Sequence, residues 1–327
     1  MTAAPVVGIP RGLSFTQLKP VWEEFFGALG VPTLVSPPTS RAILEDGLRV
    51  SVSEACLPLK ACLGHVASLI DKADLILVPR CVSLHRREYI CPKFAGLPDV
   101  VRASFGRLPP LLVPEINLHN ARRVPRMDTV AELLGVDPER VRRALVQALR
   151  AIRRDPSGSD GPLIAPEAAQ SRTVVVISHP YLIHDRFLTM GLMGRLSAMG
   201  VRPVPMDTLD AARLRAAAVA PKPLFWSWGT EALGCACALA RSGEADGVLF
   251  VTSFGCGVDS FVEAMAERRI RAAGIPYALI TLDEHTAQAG LITRLEAFID
   301  TLPDRRTHDR NVSAHGQCLY TDESASR

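Results

Sequence analysis

The feature that most constrains this chain is that it repeats itself. Val6-Val7-Gly8-Ile9-Pro10 returns 170 residues later as Val176-Ile177-Ser178-His179-Pro180. At the same offset, Ala28-Leu29-Gly30-Val31 returns as Ala198-Met199-Gly200-Val201. Ala73-Asp74 opens the apolar run LILVP, and 172 residues on Ala245-Asp246 opens GVLFVT. The runs Leu111–Pro114 and Leu279–Leu282 then close each half, followed by Glu115-Ile116-Asn117 and Asp283-Glu284-His285. Four matches in one order at a nearly constant offset indicate a duplicated unit, and 327 residues leave room for two ordinary domains.

The pattern inside each unit sets the fold class. Pro5–Ile9, Pro32–Ser36, Leu75–Pro79, Leu111–Pro114, Thr173–Ser178, Gly247–Thr252 and Tyr277–Thr281 are apolar at nearly every position. Strands covered on both faces of a parallel sheet have that character. Helical patterns separate them over Lys19–Leu29, the turns before Asp71, Arg186–Met199 and Asp259–Ala273. The alternation predicts an α/β protein of two Rossmann-like domains, each a doubly wound parallel sheet, related by internal duplication and facing each other across a cleft. Residues 1–155 are expected to form the first domain, with Cys56 and Cys91, and residues 156–302 the second, with Cys256. Arg126–Ile152 reads as helices and Asp155–Ala165 as a linker. The polar segment 303–327, with Cys318, reads as a mobile tail.

Charge and composition exclude several classes. Basic residues number 37 and acidic residues 34, a net charge of +3 with no basic stripe among aromatics, so nucleic acid is not an expected partner. No apolar run reaches the ~18–20 residues of a membrane helix. Met1 to Pro5 lead into a strand-like stretch without a charged n-region, and a cytoplasmic protein is expected. In that compartment, eight cysteines read as thiols, catalytic groups or metal ligands before disulfides.

Three of the cysteines share a setting. Cys56 precedes Leu57-Pro58-Leu59-Lys60 and a helical run; Cys91 precedes Pro92-Lys93-Phe94; Cys256 lies in Phe254-Gly255-Cys256-Gly257 between a buried strand and an amphipathic helix. Each falls just ahead of a helix N-terminus, where partial positive charge stabilises a thiolate, the form that binds metal. Gly255 and Gly257 also let backbone approach a bulky group closely. Lys60 and Lys93 follow two of the cysteines within four residues, where they could offset a cofactor's negative charge or simply be solvated.

The remaining cysteines fit less well. Cys235 and Cys237 lie within the helical stretch Glu231–Ala240, roughly 200° apart, and read as small packing residues. Cys62 stands three residues before His65, as a packed thiol beside a satisfied histidine or as half of a zinc pair. Cys81 is a candidate fourth ligand. Without any CxxC pair, a structural zinc site is poorly supported. Three dispersed cysteines suit an iron–sulfur cluster with one incompletely protected iron, against the plainer alternative of three buried, inert thiols. A cysteine hydrolase would need a histidine that the sequence does not assign to Cys256. No Walker loop or dinucleotide fingerprint appears.

His179, Tyr181, Glu115, Asn117, Glu284 and His285 follow strand ends and are candidates for the same edge. Of these, His179, Tyr181, Glu284 and His285 are the candidate catalytic groups, each weighed against a turn or capping role. Arg294 and Glu296 read as an interdomain ion pair.

The chain resembles the acyl-CoA dehydratase activase-related proteins, relatives of the 2-hydroxyacyl-CoA dehydratase subunits. The resemblance rests on GIPRGL near Ile9, FFGALG near Phe25, Glu54-Ala55-Cys56-Leu57-Pro58-Leu59-Lys60, Gly64-His65-Val66 and Arg87-Glu88-Tyr89-Ile90-Cys91-Pro92-Lys93. It continues through Ser178-His179-Pro180-Tyr181, Ser253-Phe254-Gly255-Cys256-Gly257-Val258-Asp259-Ser260, Asp283-Glu284-His285-Thr286 and Thr293-Arg294-Leu295-Glu296-Ala297-Phe298. It implies a [4Fe-4S] cluster, with Cys56, Cys91 and Cys256 matching the family's recurrent cysteines. It also implies single-electron, low-potential chemistry of the kind that removes water from a 2-hydroxyacyl-CoA. The electron would come from an ATP-hydrolysing activator of the sugar kinase/heat-shock chaperone/actin type. No fused activator is present, so that partner would act in trans, with a related dehydratase subunit as a second. A non-catalytic relay and a zinc or thiol binding protein stay open beside this reading.

Overall fold

Strands buried on both faces leave no room for solvated side chains, and burial over the central strands is nearly complete. The computed structural model describes residues 4–119, 127–150, 162–164, 172–220 and 222–303. Its strands are β1 (Val7–Ile9), β2 (Thr33–Val35), β3 (Leu75–Leu77), β4 (Arg80–Ser83), β5 (Leu111–Leu112), β6 (Glu115–Asn117), β7 (Arg172–Ser178), β8 (Val201–Pro205), β9 (Gly247–Ser253) and β10 (Tyr277–Leu282). One parallel sheet runs β2-β1-β3-β5 and the other β8-β7-β9-β10. Counted from the first strand of each half, both orders are 2-1-3-4. The repeat is therefore one doubly wound unit used twice, with helices on the faces of each sheet.

Several local expectations are corrected. β8 is a strand that the apolar pattern does not show, because Arg202, Pro203 and Pro205 interrupt it; at the sheet edge, prolines cost no ladder bonds. The helix expected over Arg186–Met199 begins only at Leu192, since Met190 (φ 51°) and Gly191 (φ 71°) are left-handed and no helix continues through them. Glu115 and Asn117 follow β5 as expected, but they also form a further strand, β6, which pairs with β4. Arg294 donates to the Leu279 carbonyl at 2.9 Å, a contact within its own half, and no ion pair with Glu296 is found among the described residues. Helices Asp128–Leu134 and Pro138–Ala148 occupy the stretch expected to be helical, whereas most of the expected linker, and the tail with Cys318, lie outside the described residues. No helix is long and apolar enough to cross a membrane among the described residues.

One helix joins the halves. Leu57–Ala67 is buried from Leu57 to Val66, because it packs on three sides. Leu59, Leu63 and Val66 enter the first half's core, and Leu57 and Ala61 enter the core of the second. The third side meets helix Arg41–Val50 backbone to backbone. A methyl added at Gly64 would stand 1.8 Å from the Ile43 carbonyl oxygen, and one at Gly47 would stand 1.8 Å from that of Lys60. Gly234, 170 residues after Gly64, makes the same approach to the Leu214 carbonyl, so the duplication preserved the crossing.

Gly64→Ala should therefore destabilise the protein by at least the ~1–3 kcal/mol of ordinary overpacking, because the clash is with backbone. Gly27→Ala is the control: it is inside helix Phe15–Leu29 with nothing within 4 Å of the added methyl. It should be neutral or stabilising by up to about 1 kcal/mol. Urea denaturation of the two variants reads both signs, and equal midpoints would refute the close crossing.

Candidate functional site

Each of the three singled-out cysteines is the N-cap residue of a helix. Cys56 caps Leu57–Ala67, with Pro58 in the first turn; Cys91 caps Pro92–Ala95, with Pro92 leading; Cys256 caps Gly257–Ala272. Proline suits those positions because its missing N–H would have had no intrahelical partner. The two long helices aim their N-terminal amides at the same junction between the halves. Bonds across that junction draw the cysteine loops together. The Leu57 amide donates to Ser253 Oγ at 3.0 Å, and Lys93 Nζ donates to the Gly255 carbonyl at 3.0 Å. The Tyr89 amide donates to the Phe225 carbonyl at 2.7 Å, and the Ser227 amide returns a bond to the Tyr89 carbonyl at 2.9 Å.

Gly255 is left-handed (φ 76°), and a methyl there would sit 3.1 Å from the Glu54 carbonyl. Only glycine lets the Cys256 turn approach the Cys56 turn this closely. Gly257, by contrast, faces open space, with nothing within 4 Å of a methyl placed on it. The result is electrostatic contact among the three thiols. Burial pushes the Cys91 thiol up, the Lys93 amide draws it back, and the neighbouring Cys256 and Cys56 thiolates push it up again.

A second cluster completes the site. His179 Nε2 lies 2.8 Å from Asp259 Oδ1 and 3.8 Å from Cys256 Sγ, and Thr252 Oγ1 donates to Asp259 Oδ2 at 2.6 Å. Both His179 and Asp259 are buried. Burial works against the imidazolium, but the Asp259 carboxylate and then Cys256 outweigh it and hold the His179 pKa well above the ordinary value. Burial likewise works to raise Asp259, and His179 overcomes it so that the carboxyl titrates below its usual range. Tyr181 stacks on His179 at 4.9 Å with rings 9° apart, and burial plus the nearby Cys256 charge push its phenol well above the ordinary value. Trp228 stands edge-on to both rings, at 5.5 Å from His179 and 5.4 Å from Tyr181, and Phe94 lies 5.2 Å from Trp228. These aromatics wall the cluster from water. The Ser178 hydroxyl beside them is buried without a partner among the described residues.

The arrangement does not suit a cysteine hydrolase. In a triad, the carboxylate holds one imidazole nitrogen and the nucleophile faces the other. Here the same nitrogen, Nε2, serves both, so Asp259 competes with Cys256 for the proton.

Other expected residues go elsewhere. Lys60, only 3% exposed, is bound to Glu284 Oε1 at 2.5 Å and to the Ser53 carbonyl at 2.9 Å. Lys60 and Glu284 are thus each other's partners, across the two halves. His285 has a side chain 86% exposed and does not join the group. Cys81 and Cys62 are buried thiols pushed up to about 12, chiefly by burial. His65 bonds Ser36 Oγ through Nδ1 and Thr39 Oγ1 through Nε2, each at 3.0 Å, so it is the satisfied histidine and has no zinc role with Cys62. Cys235 and Cys237 are packed in the second core. Asp259, Trp228 and Phe94 are the site residues that sequence reading did not single out. Asp259 had a signal, standing one helical turn after Cys256; the aromatics had none.

Fold and site together define a duplicated α/β protein with a cysteine–histidine–carboxylate group buried where its halves meet. Residues 6–209 match the family model described as CoA enzyme activase uncharacterised domain, and residues 202–302 match that of 2-hydroxyglutaryl-CoA dehydratase, D-component. The first match spans well over half of the chain, which therefore belongs to this acyl-CoA dehydratase activase-related family. No curated protein matches the chain.

The buried pair has a defined pH window in the metal-free protein. The raised pKa of His179 contributes stability that is full below the free value near ~6.5 and is lost as pH climbs through the folded one. The lowered pKa of Asp259 contributes stability that is present above ~4 and lost as pH falls through its folded value. Asp259→Asn should therefore cost most, about 3 kcal/mol, between those limits, and its deficit should shrink in more acid and more alkaline solution. Denaturation of wild type and variant across pH tests this; a deficit independent of pH would contradict it.

Proposed function

We propose that this chain is an iron–sulfur protein related to the 2-hydroxyacyl-CoA dehydratases, binding a [4Fe-4S] cluster through Cys56, Cys91 and Cys256. The observation that carries the reading is the convergence of three helix-capping cysteines from both halves on one walled junction. The donor set fits the group: soft thiol ligands, three in number, with open space at Gly257. When bound, such a cluster supplies single-electron chemistry at low potential and leaves one iron free of a protein thiolate.

The chain's own residues have distinct tasks. The helix N-termini at Cys56 and Cys256 bring partial positive charge to the junction. Lys93 fixes the Gly255 carbonyl and brings positive charge to the Cys256 turn. His179, charged through Asp259, holds a proton at Nε2 beside Cys256 Sγ and offsets thiolate charge. Tyr181, Trp228 and Phe94 exclude water. Lys60 and Glu284 hold the Cys56 helix against the second half.

In this reading, an ATP-hydrolysing activator of the sugar kinase/heat-shock chaperone/actin type delivers the electron in trans. A related dehydratase subunit, or this chain itself, uses it on a 2-hydroxyacyl-CoA. A second reading rests on a separate observation. His179, Cys256 and Asp259 each offer a ligand atom, all within 4.8 Å of one another, a set suited to a single zinc ion.

Iron, sulfide and zinc content with EPR, after anaerobic purification, separates these. About four irons per chain are expected, lost in Cys56→Ala, Cys91→Ala and Cys256→Ala and kept in Cys235→Ala. One zinc, lost in Cys256→Ala and His179→Ala but kept in Cys56→Ala, would replace the cluster reading with the second.

A further inference from the structure

A cleft of about 260 Å³ opens between the halves, where the loops after β1 and β7 face each other. Arg11, Phe15 and Thr39 line it from the first half, and Tyr181, Arg186 and Phe187 from the second. Ligands of doubly wound folds bind at this carboxyl edge of the strands. Tyr181 is shared: it lines the cleft and its ring stacks on His179, so one residue connects the cleft with the cysteine junction.

The cleft's charge is unbalanced. The acidic side chain lining it, Asp185, is already consumed: Oδ1 accepts from the Phe187 and Leu188 amides at 2.9 and 3.0 Å, and Oδ2 accepts from Thr39 Oγ1. Neither Arg11 nor Arg186 is paired with a carboxylate among the described residues. The lining His184 has its own partner, Asp207 Oδ2, at 2.6 Å. Two arginines therefore border a space whose one carboxylate already accepts three hydrogen bonds, which leaves the cleft an excess of positive charge; Arg186 also borders the neighbouring cavity that Asp283 and Glu284 line.

One of them is held in position. Arg11 donates from Nε to the Ser36 carbonyl at 2.7 Å and from its backbone amide to Ser36 Oγ at 2.9 Å, and its guanidinium lies 5.6 Å from the Phe15 ring centroid. Beneath it runs a one-way chain of bonds. Ser36 Oγ, accepting from Arg11, donates to His65 Nδ1; His65 Nε2 then donates to Thr39 Oγ1, which donates to Asp185. Burial and the Arg11 charge lower the His65 pKa to about 4, so the ring stays neutral and the chain keeps this polarity near pH 7. Leu13, in the same loop, is left-handed (φ 48°), and such strain in a bulky residue persists where the surroundings impose it, often at ligand clamps.

We propose that this cleft binds the oxyanion, phosphate or carboxylate, of a small organic substrate, clamped between Arg11 and Arg186 with its uncharged part extending along Tyr181. Guanidinium forks suit both oxyanions, and an opening between two domains lets the ligand itself hold them together. The direction of its uncharged part rests on the cysteine junction being the reactive centre; the clamp itself does not.

Titration calorimetry with coenzyme A, glutarate and inorganic phosphate, on wild type and Arg186→Gln, tests the clamp. Coenzyme A or glutarate, or both, should bind in a salt-dependent way, at least tenfold more weakly in Arg186→Gln. Coenzyme A alone would identify a phosphate head, glutarate alone a carboxylate, and either supports the clamp. Arg11→Lys, which keeps the charge and loses the fork, should also weaken binding. Binding of inorganic phosphate only, no binding at all, or affinity unchanged in both variants would overturn the proposal. An unchanged thermal melt of Arg186→Gln excludes misfolding as the cause. Repeating the titration on Cys256→Ala separates the two readings. Iron lost with anion binding intact leaves the clamp standing without the cluster as its evidence; iron retained in Arg186→Gln with anion binding unaltered sinks the clamp alone.

Discussion

The backbone contact between Gly47 and the helix Leu57–Ala67 is the constraint on which the rest depends. Ordinary helix pairs keep their axes 8–10 Å apart because side chains intervene. Removing both side chains at the crossing lets Leu57–Ala67 sink between the two halves and bury almost every residue, a lysine and a histidine included. Cys56 stands at its N-terminus, so the depth of the helix sets the depth of the thiol. The second half kept the same crossing at Gly234, but there the position equivalent to Cys56 is Trp226. Duplication supplied two equal scaffolds; only one of the two equivalent helices carries a thiol at its tip.

A helix buried on all sides must account for its polar groups. Lys60 does so through Glu284 and the Ser53 carbonyl, and His65 through Ser36 and Thr39. Both solutions reach toward the other half: Glu284 belongs to it, and Thr39 is bonded on to Asp185. The polar residues that the wedge cannot leave in water thereby become its cross-links. This explains why Lys60, so close to Cys56 in sequence, is not a free counter-charge for the thiols. Its charge is already balanced, and positive charge at the junction comes instead from His179, Lys93 and the helix ends.

How much of this was legible in the sequence follows from range. The parallel sheets were, since short unbroken apolar runs between helical patterns are what strands covered on both faces require, and so was the duplication. The helix-capping cysteines were legible because Pro58, Pro92 and Gly257 are local signals. β8 was hidden by its prolines, which only its edge position tolerates. The pairing of Lys60 with Glu284 spans more than two hundred residues, and no local rule announces it. The same holds for Trp228 and Phe94, whose bland reading as core aromatics is correct as far as it goes; they become part of a site only because His179 and Tyr181 pack against them. Asp259 was the recoverable case. An acidic residue in the first turn of a helix usually serves that helix's own amides, and here it turns to a histidine from β7's end.

The division of the site between halves has a mechanical consequence. Cys56 and Cys91 come from one half, and Cys256, His179 and Asp259 from the other, so the three helix-capping cysteines are divided between the halves. Any relative movement changes the spacing of these side chains, and a ligand bridging the halves would resist that movement in proportion to its affinity. The bonds from Leu57 to Ser253 and from Lys93 to Gly255 lie close to the cysteines in sequence, which restricts movement at the junction itself. The cleft beside Arg11 and Arg186 lies farther out, where the bond from Thr39 to Asp185 links the walls. The structure thus combines a tight inner seam beside the three cysteines with an outer seam that leaves open space between the halves.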